Sequence, residues 1–98
     1  MESAPLVARR QVLIVNTYGL HMRPSSKFVK LASSFQSEVW VHLEGKKVNG
    51  KSLLDMTTLG AQRGSTLELE LRGPDAEQAL AALADLVAAG FHMEEEGA

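Results

Sequence analysis

The hexapeptide Thr66-Leu67-Glu68-Leu69-Glu70-Leu71 alternates strictly between polar and apolar residues. Successive side chains of an extended chain point to opposite faces, so Leu67, Leu69 and Leu71 share one face, and Glu68 and Glu70 the other. A strand with one apolar face needs cover on that face alone, the pattern of an antiparallel sheet with one side solvated. Outward from this segment the pattern recurs. Glu38 to Leu43 also alternates, with Val39, Val41 and Leu43 on one side and Trp40 and His42 on the other. Glu44-Gly45-Lys46 reads as a tight turn into a short strand, Lys47 to Val48. Gln11 to Val15 is apolar and β-branched, and the turn Asn16-Thr17-Tyr18-Gly19 closes it.

Between these segments the apolar period lengthens to that of a helix. After His21, residues Ser25, Phe28, Val29, Ala32 and Phe35 recur at helical spacing, with Pro24 in the first turn, where a missing N–H costs nothing. Arg23, Lys27 and Lys30 occupy a different stripe of that helix, predicted to face water. Ser52, with Asp55 three residues on, predicts a capped short helix from Leu53 to Leu59 that Gly60 stops. Gly73-Pro74 breaks the chain. Asp75 is a candidate cap for the last helix, with Gln78 at its third position. Ala76, Ala79, Leu80, Leu83, Leu86, Val87 and Gly90 form its buried stripe. The order βαββαβα predicts an α+β fold: a four-stranded antiparallel sheet with three helices on one face and the other face open.

Ninety-eight residues fit one domain, with an ordered core expected over about 9–91 and flexible termini. With no cysteine, disulfide, thiolate-zinc and cysteine-nucleophile chemistry are excluded. No apolar run approaches a membrane span, and Met1 to Arg10 lacks a secretory signal, so a cytoplasmic protein without membrane insertion is expected. The net charge of −2 is unevenly distributed. From His21 to Ser52 six basic residues oppose two acidic ones, whereas from Glu68 onward one arginine opposes eight acids. The basic half could steer an acidic partner toward His21. Nucleic acid is not an expected partner, given the acidic balance and the few aromatics.

The chemistry concentrates in His21-Met22-Arg23-Pro24. A histidine just before a helix has first-turn amides beside it, the positive end of the helix dipole, and a guanidinium two residues on. Together these suit a phosphate carried on the imidazole. His42 alternates onto the presumed open face of the sheet and is expected to be solvated. His92 lies beyond the last helix and has no expected chemistry. No two histidines share ligand spacing on one element, so neither a metal nor a cofactor is expected. Trp40 is expected to cover the open sheet face or to mark a contact surface.

The pattern resembles the histidine-containing phosphocarrier (HPr) family of the bacterial phosphotransferase system. The resemblance rests on two motifs in order: Gly19-Leu20-His21-Met22-Arg23-Pro24-Ser25, and Asn49-Gly50-Lys51-Ser52-Leu53-Leu54 followed by Thr58-Leu59-Gly60. It covers about Gln11 to Val87. It implies an open-faced β-sandwich. It also implies a carrier that is not itself an enzyme, in which His21 takes phosphate on Nδ1 from phosphorylated Enzyme I and passes it to an Enzyme II A domain. By the same resemblance Arg23 pairs with the phosphate, and Ser52 is the regulatory site of an HPr kinase/phosphorylase. Met22, Pro24, Lys27, Lys30, Lys51, Leu53, Leu54 and Met56 fall on the partner surface, and a monomer is expected. Three departures stand out: Met22 for a smaller residue, hydroxyls at Ser25 and Ser26 where small apolar residues are usual, and Asp55 in the docking helix.

Two other classes stay open at this level. The ending Val87-Ala88-Ala89-Gly90-Phe91, with acids after it, is similar to the nitrogen-related branch of the family, which would make the protein a regulator acting through phosphorylation-dependent binding. An enzyme using His21 as nucleophile or base is disfavoured, because no carboxylate near His21 in sequence orients the ring.

Overall fold

The computed structural model describes residues 6–93. Strand β1 spans Val7–Leu13, helix α1 Met22–Ser33, β2 Glu38–Leu43, β3 Lys46–Asn49, α2 Leu53–Leu59, β4 Thr66–Arg72 and α3 Ala76–Ala88, followed by a 3-10 turn over Gly90–His92. The four strands form one antiparallel sheet in the order β1-β4-β2-β3. This is the predicted βαββαβα architecture. The inward faces of the strands meet the helices in one core that includes Phe28, Val39, Val41, Met56, Leu67, Leu69, Leu71 and Leu83, all buried.

In β4 the inward set is as predicted: Leu67, Leu69 and Leu71 are each fully buried. Strand β1 begins four residues earlier than its apolar content suggests. Its register runs from Val7 opposite Arg72 to Leu13 opposite Thr66. The ladder is made by backbone groups, which pair regardless of the charges on Arg9 and Arg10. Ile14 keeps its backbone satisfied beyond the strand, donating to Ser65 and accepting from Gly64. Of the termini expected to be flexible, 1–5 and 94–98 lie outside the described residues, whereas Val7 and Ala8 lie within the sheet.

Two helix ends depart from expectation. Asp75 precedes α3 but makes no side-chain cap bond to it. Its carboxylate instead accepts from the amides of Gln36 and Ser37, each at 2.9 Å, and from the Ser37 hydroxyl. The residue expected to start one helix thus pins the link between α1 and β2. Those bonds, the Ser37 hydroxyl first, hold the Asp75 carboxyl below its ordinary range. At its other end α3 stops at Ala88, and Gly90, Phe91 and His92 all take positive φ. A left-handed phenylalanine costs roughly 1–2 kcal/mol. Burial of its whole ring, worth roughly 1.5–3 kcal/mol, offsets that cost. Lys27 reinforces the reversal: its Nζ donates to the Phe91 carbonyl at 3.0 Å. Lys27 is therefore half-buried and tied to the reversal after α3, not turned to water as its stripe suggested.

On the open face of the sheet, Glu70 points outward as its alternation requires, yet it is only 3% exposed. His42 Nε2 lies 2.8 Å from one carboxylate oxygen, and Arg72 Nε lies 2.8 Å and an Arg9 guanidinium nitrogen 3.5 Å from the other. The His42 bond is the main cause that holds the Glu70 carboxyl below its ordinary value, against the opposing push of burial; Arg72 and Arg9 add to the lowering. His42 is thus a partner in an ion cluster and not a solvated side chain. Trp40 lies beside it, half-buried, with Lys47 Nζ 4.8 Å from its ring centroid and its own indole N–H donating to Glu38.

Candidate functional site

His21 is the N-cap residue of α1, with extended backbone at φ −79° and ψ −171°, and its carbonyl accepts the first helical bond from Ser25 N–H at 3.0 Å. The amides of Met22 and Arg23 have no intrahelical partner, as at any helix start, and Pro24 has no N–H to satisfy. No acidic residue occupies the first turn. The dipole therefore favours negative charge at this end, and the first turn itself supplies none.

The loop leading to His21 is tightly held. Asn16 Nδ2 donates to the Gly19 carbonyl at 2.8 Å, and the Gly19 amide donates back to Asn16 O at 3.3 Å. Leu20 N–H donates to Ala61 O at 2.9 Å, and the Ser25 hydroxyl donates to Leu20 O at 3.0 Å. The hydroxyl that replaces a small apolar side chain at Ser25 is thus buried but satisfied. Gly19 sits at φ +68°, and a Cβ there would stand 2.3 Å from Ala61 O, so no other residue fits.

Arg23 is exposed and forms no ion pair among the described residues. Its guanidinium is available to an anion that arrives from outside. Met22 is 58% exposed beside the histidine. Tyr18, which the sequence did not single out, sets its ring edge-to-face against the His21 imidazole with centroids 5.9 Å apart. Pro24 is fully buried. It starts α1 from within the core and cannot contact a partner, contrary to its expected place on the partner surface.

Helix α2 flanks α1. Ser52 caps it as predicted: its Oγ accepts from Asp55 N–H at 3.1 Å. Asp55 does not return the bond to Ser52 but accepts from Asn49 N–H at 3.0 Å, so the family departure at this position serves the β3–α2 turn. Gly50 is required there, since a Cβ would stand 2.6 Å from Val39 Cγ1 and 3.1 Å from the Phe28 ring. Leu53 and Leu54 are exposed, Leu54 at 71%, and form an apolar surface. Met56 does not join them. It is fully buried, because its position along the helix turns it toward the core. Of the expected basic rim, Lys30 is exposed, whereas Lys51 is half-buried with its Nζ donating to Phe35 O at 2.8 Å. His92 is exposed at the edge of a shallow groove between α1 and α3. Among the described residues no group of three His, Asp or Glu side chains is placed to hold a metal, and no helix is long and apolar enough to cross a membrane.

Comparison with known proteins gives a consistent result. The family described as PTS HPr component phosphorylation site matches residues 8–89. The phosphocarrier protein HPr of Neisseria meningitidis is 44% identical over 79 residues, covering 81% of this chain and 89% of the relative. That of Cupriavidus necator is 41% identical over 83 residues, covering 85% and 93%. The crystal structure of HPr-C-His from Thermoanaerobacter tengcongensis superposes with a TM-score of 0.85 at 40% identity, covering 89% of this chain and 98% of that one.

Proposed function

The chain belongs to the HPr family of phosphotransferase-system phosphocarriers, and from that premise we propose that His21 is the residue that carries the phosphoryl group. The observation that carries this reading is the position of His21 at the start of α1, with first-turn amides beside it and, two residues on, Arg23 exposed and in no ion pair among the described residues. In the forward step the unprotonated Nδ1 lone pair attacks the phosphorus of phosphorylated Enzyme I. A nitrogen–phosphorus bond forms at His21 as the bond to the donor breaks and its electron pair stays with the donor. The second step runs the same exchange toward an Enzyme II A domain. A phosphoryl group on imidazole nitrogen is already activated for transfer, so the carrier's task is positioning and charge stabilisation, with the rest of each site brought by its partners. Amides, helix dipole and Arg23 receive the equatorial oxygens. Arg23, being solvent-exposed, grips the group modestly, which keeps release fast.

Leu53, Leu54, Met22 and the exposed Lys30 form the surface for these partners in the same proposal, an apolar patch with a basic rim that steers acidic surfaces. Ser52 is its regulatory position for an HPr kinase/phosphorylase, and the protein works as a monomer in the cytoplasm. The test is direct. Incubation with Enzyme I and phosphoenolpyruvate should place one acid-labile phosphate on the protein, and His21→Ala should take none. A His21→Ala protein that labels like the parent removes His21 from the role.

A further inference from the structure

On the reading that His21 accepts the phosphoryl group, we infer that Tyr18 is a positioning residue that holds the acceptor imidazole in its reactive orientation. The ring of Tyr18 is 60% exposed, so it adds little to the core. It nevertheless makes a defined contact: its centroid lies 5.9 Å from that of His21, with the two planes at 83°. Edge-to-face pairs of this geometry are attractive beyond the area they bury, because the positive ring edge of one meets the negative face of the other.

Such a contact orients a side chain only if its own backbone is fixed, and here it is. Tyr18 lies between Asn16 and Gly19, which bond to each other in both directions. Asn16 is itself buried, and Gly19 is pressed so close to Ala61 that not even a methyl group fits between them. On the far side, Leu20 is bonded through its amide to Ala61 and through its carbonyl to Ser25. The turn therefore fixes the backbone that carries Tyr18, and from it the ring meets the His21 imidazole edge-to-face. A nucleophilic nitrogen must point its lone pair in line with the bond it will break, and restricting rotation beforehand removes part of the entropic barrier to that alignment. The contact uses the ring and not the hydroxyl, so phenylalanine should do the same work.

The experiment compares the parent with Tyr18→Ala, Tyr18→Phe and His21→Ala, using Enzyme I and phosphoenolpyruvate as donor, with melting temperatures to confirm folding. The Ala variant should lower the maximal rate of phosphoryl acceptance about two- to tenfold. Its KM for the donor should change by less than about twofold, because ground-state docking is untouched. Tyr18→Phe should restore the parental rate. In proton NMR the imidazole signals of His21 should move in the Ala variant, as the neighbouring ring current is lost, and stay in place in the Phe variant. A parental maximal rate in Tyr18→Ala overturns the inference. So does an equal loss in the Phe variant, which would assign the effect to the hydroxyl, and so does a rise in KM alone, which would make Tyr18 a docking residue. The acceptor reading fails separately, through a parent that takes no phosphate or a His21→Ala protein that does; in that event the NMR comparison still decides whether the ring contact exists.

Discussion

Two regions of this protein combine histidine with arginine, and they are put to opposite uses. At the start of α1, His21 and Arg23 stand where a helix dipole favours an anion and where no carboxylate occupies the first turn. On the open face of the sheet, His42, Arg72 and Arg9 surround the buried carboxylate of Glu70. The residue types are nearly the same, and the difference lies in what the arginines meet. Around Glu70 both guanidinium groups face one buried carboxylate, and the cluster braces three strands. At the start of α1, Arg23 is exposed and forms no ion pair among the described residues, which on the proposed reading leaves it for a phosphate.

The contrast breaks if function and stability do not separate between the two regions. The largest effect is expected from Arg23→Glu, which places a carboxylate where the proposed reading puts the phosphate. Transfer from Enzyme I should fall about 100-fold, comparable to losing a key electrostatic contact in an active site. The melting temperature should stay near the parent, since the side chain is exposed. Parental transfer kinetics in a folded variant would remove Arg23 from the site.

Glu70→Gln should do the reverse. Two half-exposed arginines lose their anion and the bond to His42 Nε2 is weakened, so a loss of about 1–2 kcal/mol is expected in denaturant titration. Phosphoryl acceptance should not change. The pH dependence sharpens this. The folded carboxyl lies below its ordinary value of 4.5, so its pairing adds stability above that pH and loses it as pH falls through the lowered folded value. The variant should therefore lose less stability than the parent on acidification. An identical acid profile in the two proteins would mean the cluster contributes nothing.

The smallest effects are expected at Ser52. Asp caps a helix as well as Ser, so Ser52→Asp should melt with the parent, whereas Ser52→Ala should lose about 1 kcal/mol. The added negative charge beside Leu53 and Leu54 should slow acceptance from Enzyme I on the order of threefold, through the encounter rate. Parental rates in Ser52→Asp would leave Ser52 as a cap alone.

Much of this was legible in the sequence, for identifiable reasons. Period-two alternation in Thr66 to Leu71 and Glu38 to Leu43 is enforced by burial of one face, so element type and inward residues follow from it. The Ser52 cap and Gly60 stop are local chemistry, read in a few residues. Partnerships across the sheet are not local. The outward direction of Glu70 was readable, but its burial depends on Arg9 lying opposite it and on His42 lying diagonally from it, a register no single strand encodes. Asp75 looked like a cap and serves a loop distant in sequence for the same reason. Met56 and Pro24 sit in motifs whose neighbours face outward, and only the rotation of each helix against the core decides that these two do not. Tyr18 carried no signal at all, since its contact with His21 exists only once the turn has closed.

The strand order has a consequence for how the molecule comes into being. Only β2 and β3 are neighbours both in sequence and in the sheet; β1 must wait for β4, whose residues begin at Thr66. Pairings of such long range are slow steps, because the loop between them must close before any contact rewards it. The turn ahead of His21 depends on the same late segment, through Leu20 on Ala61 and Ile14 on Ser65. During synthesis, then, the histidine emerges early but its surroundings are assembled among the last. A nascent chain on the ribosome carries His21 without the closed turn and packed helix start that surround it in the fold.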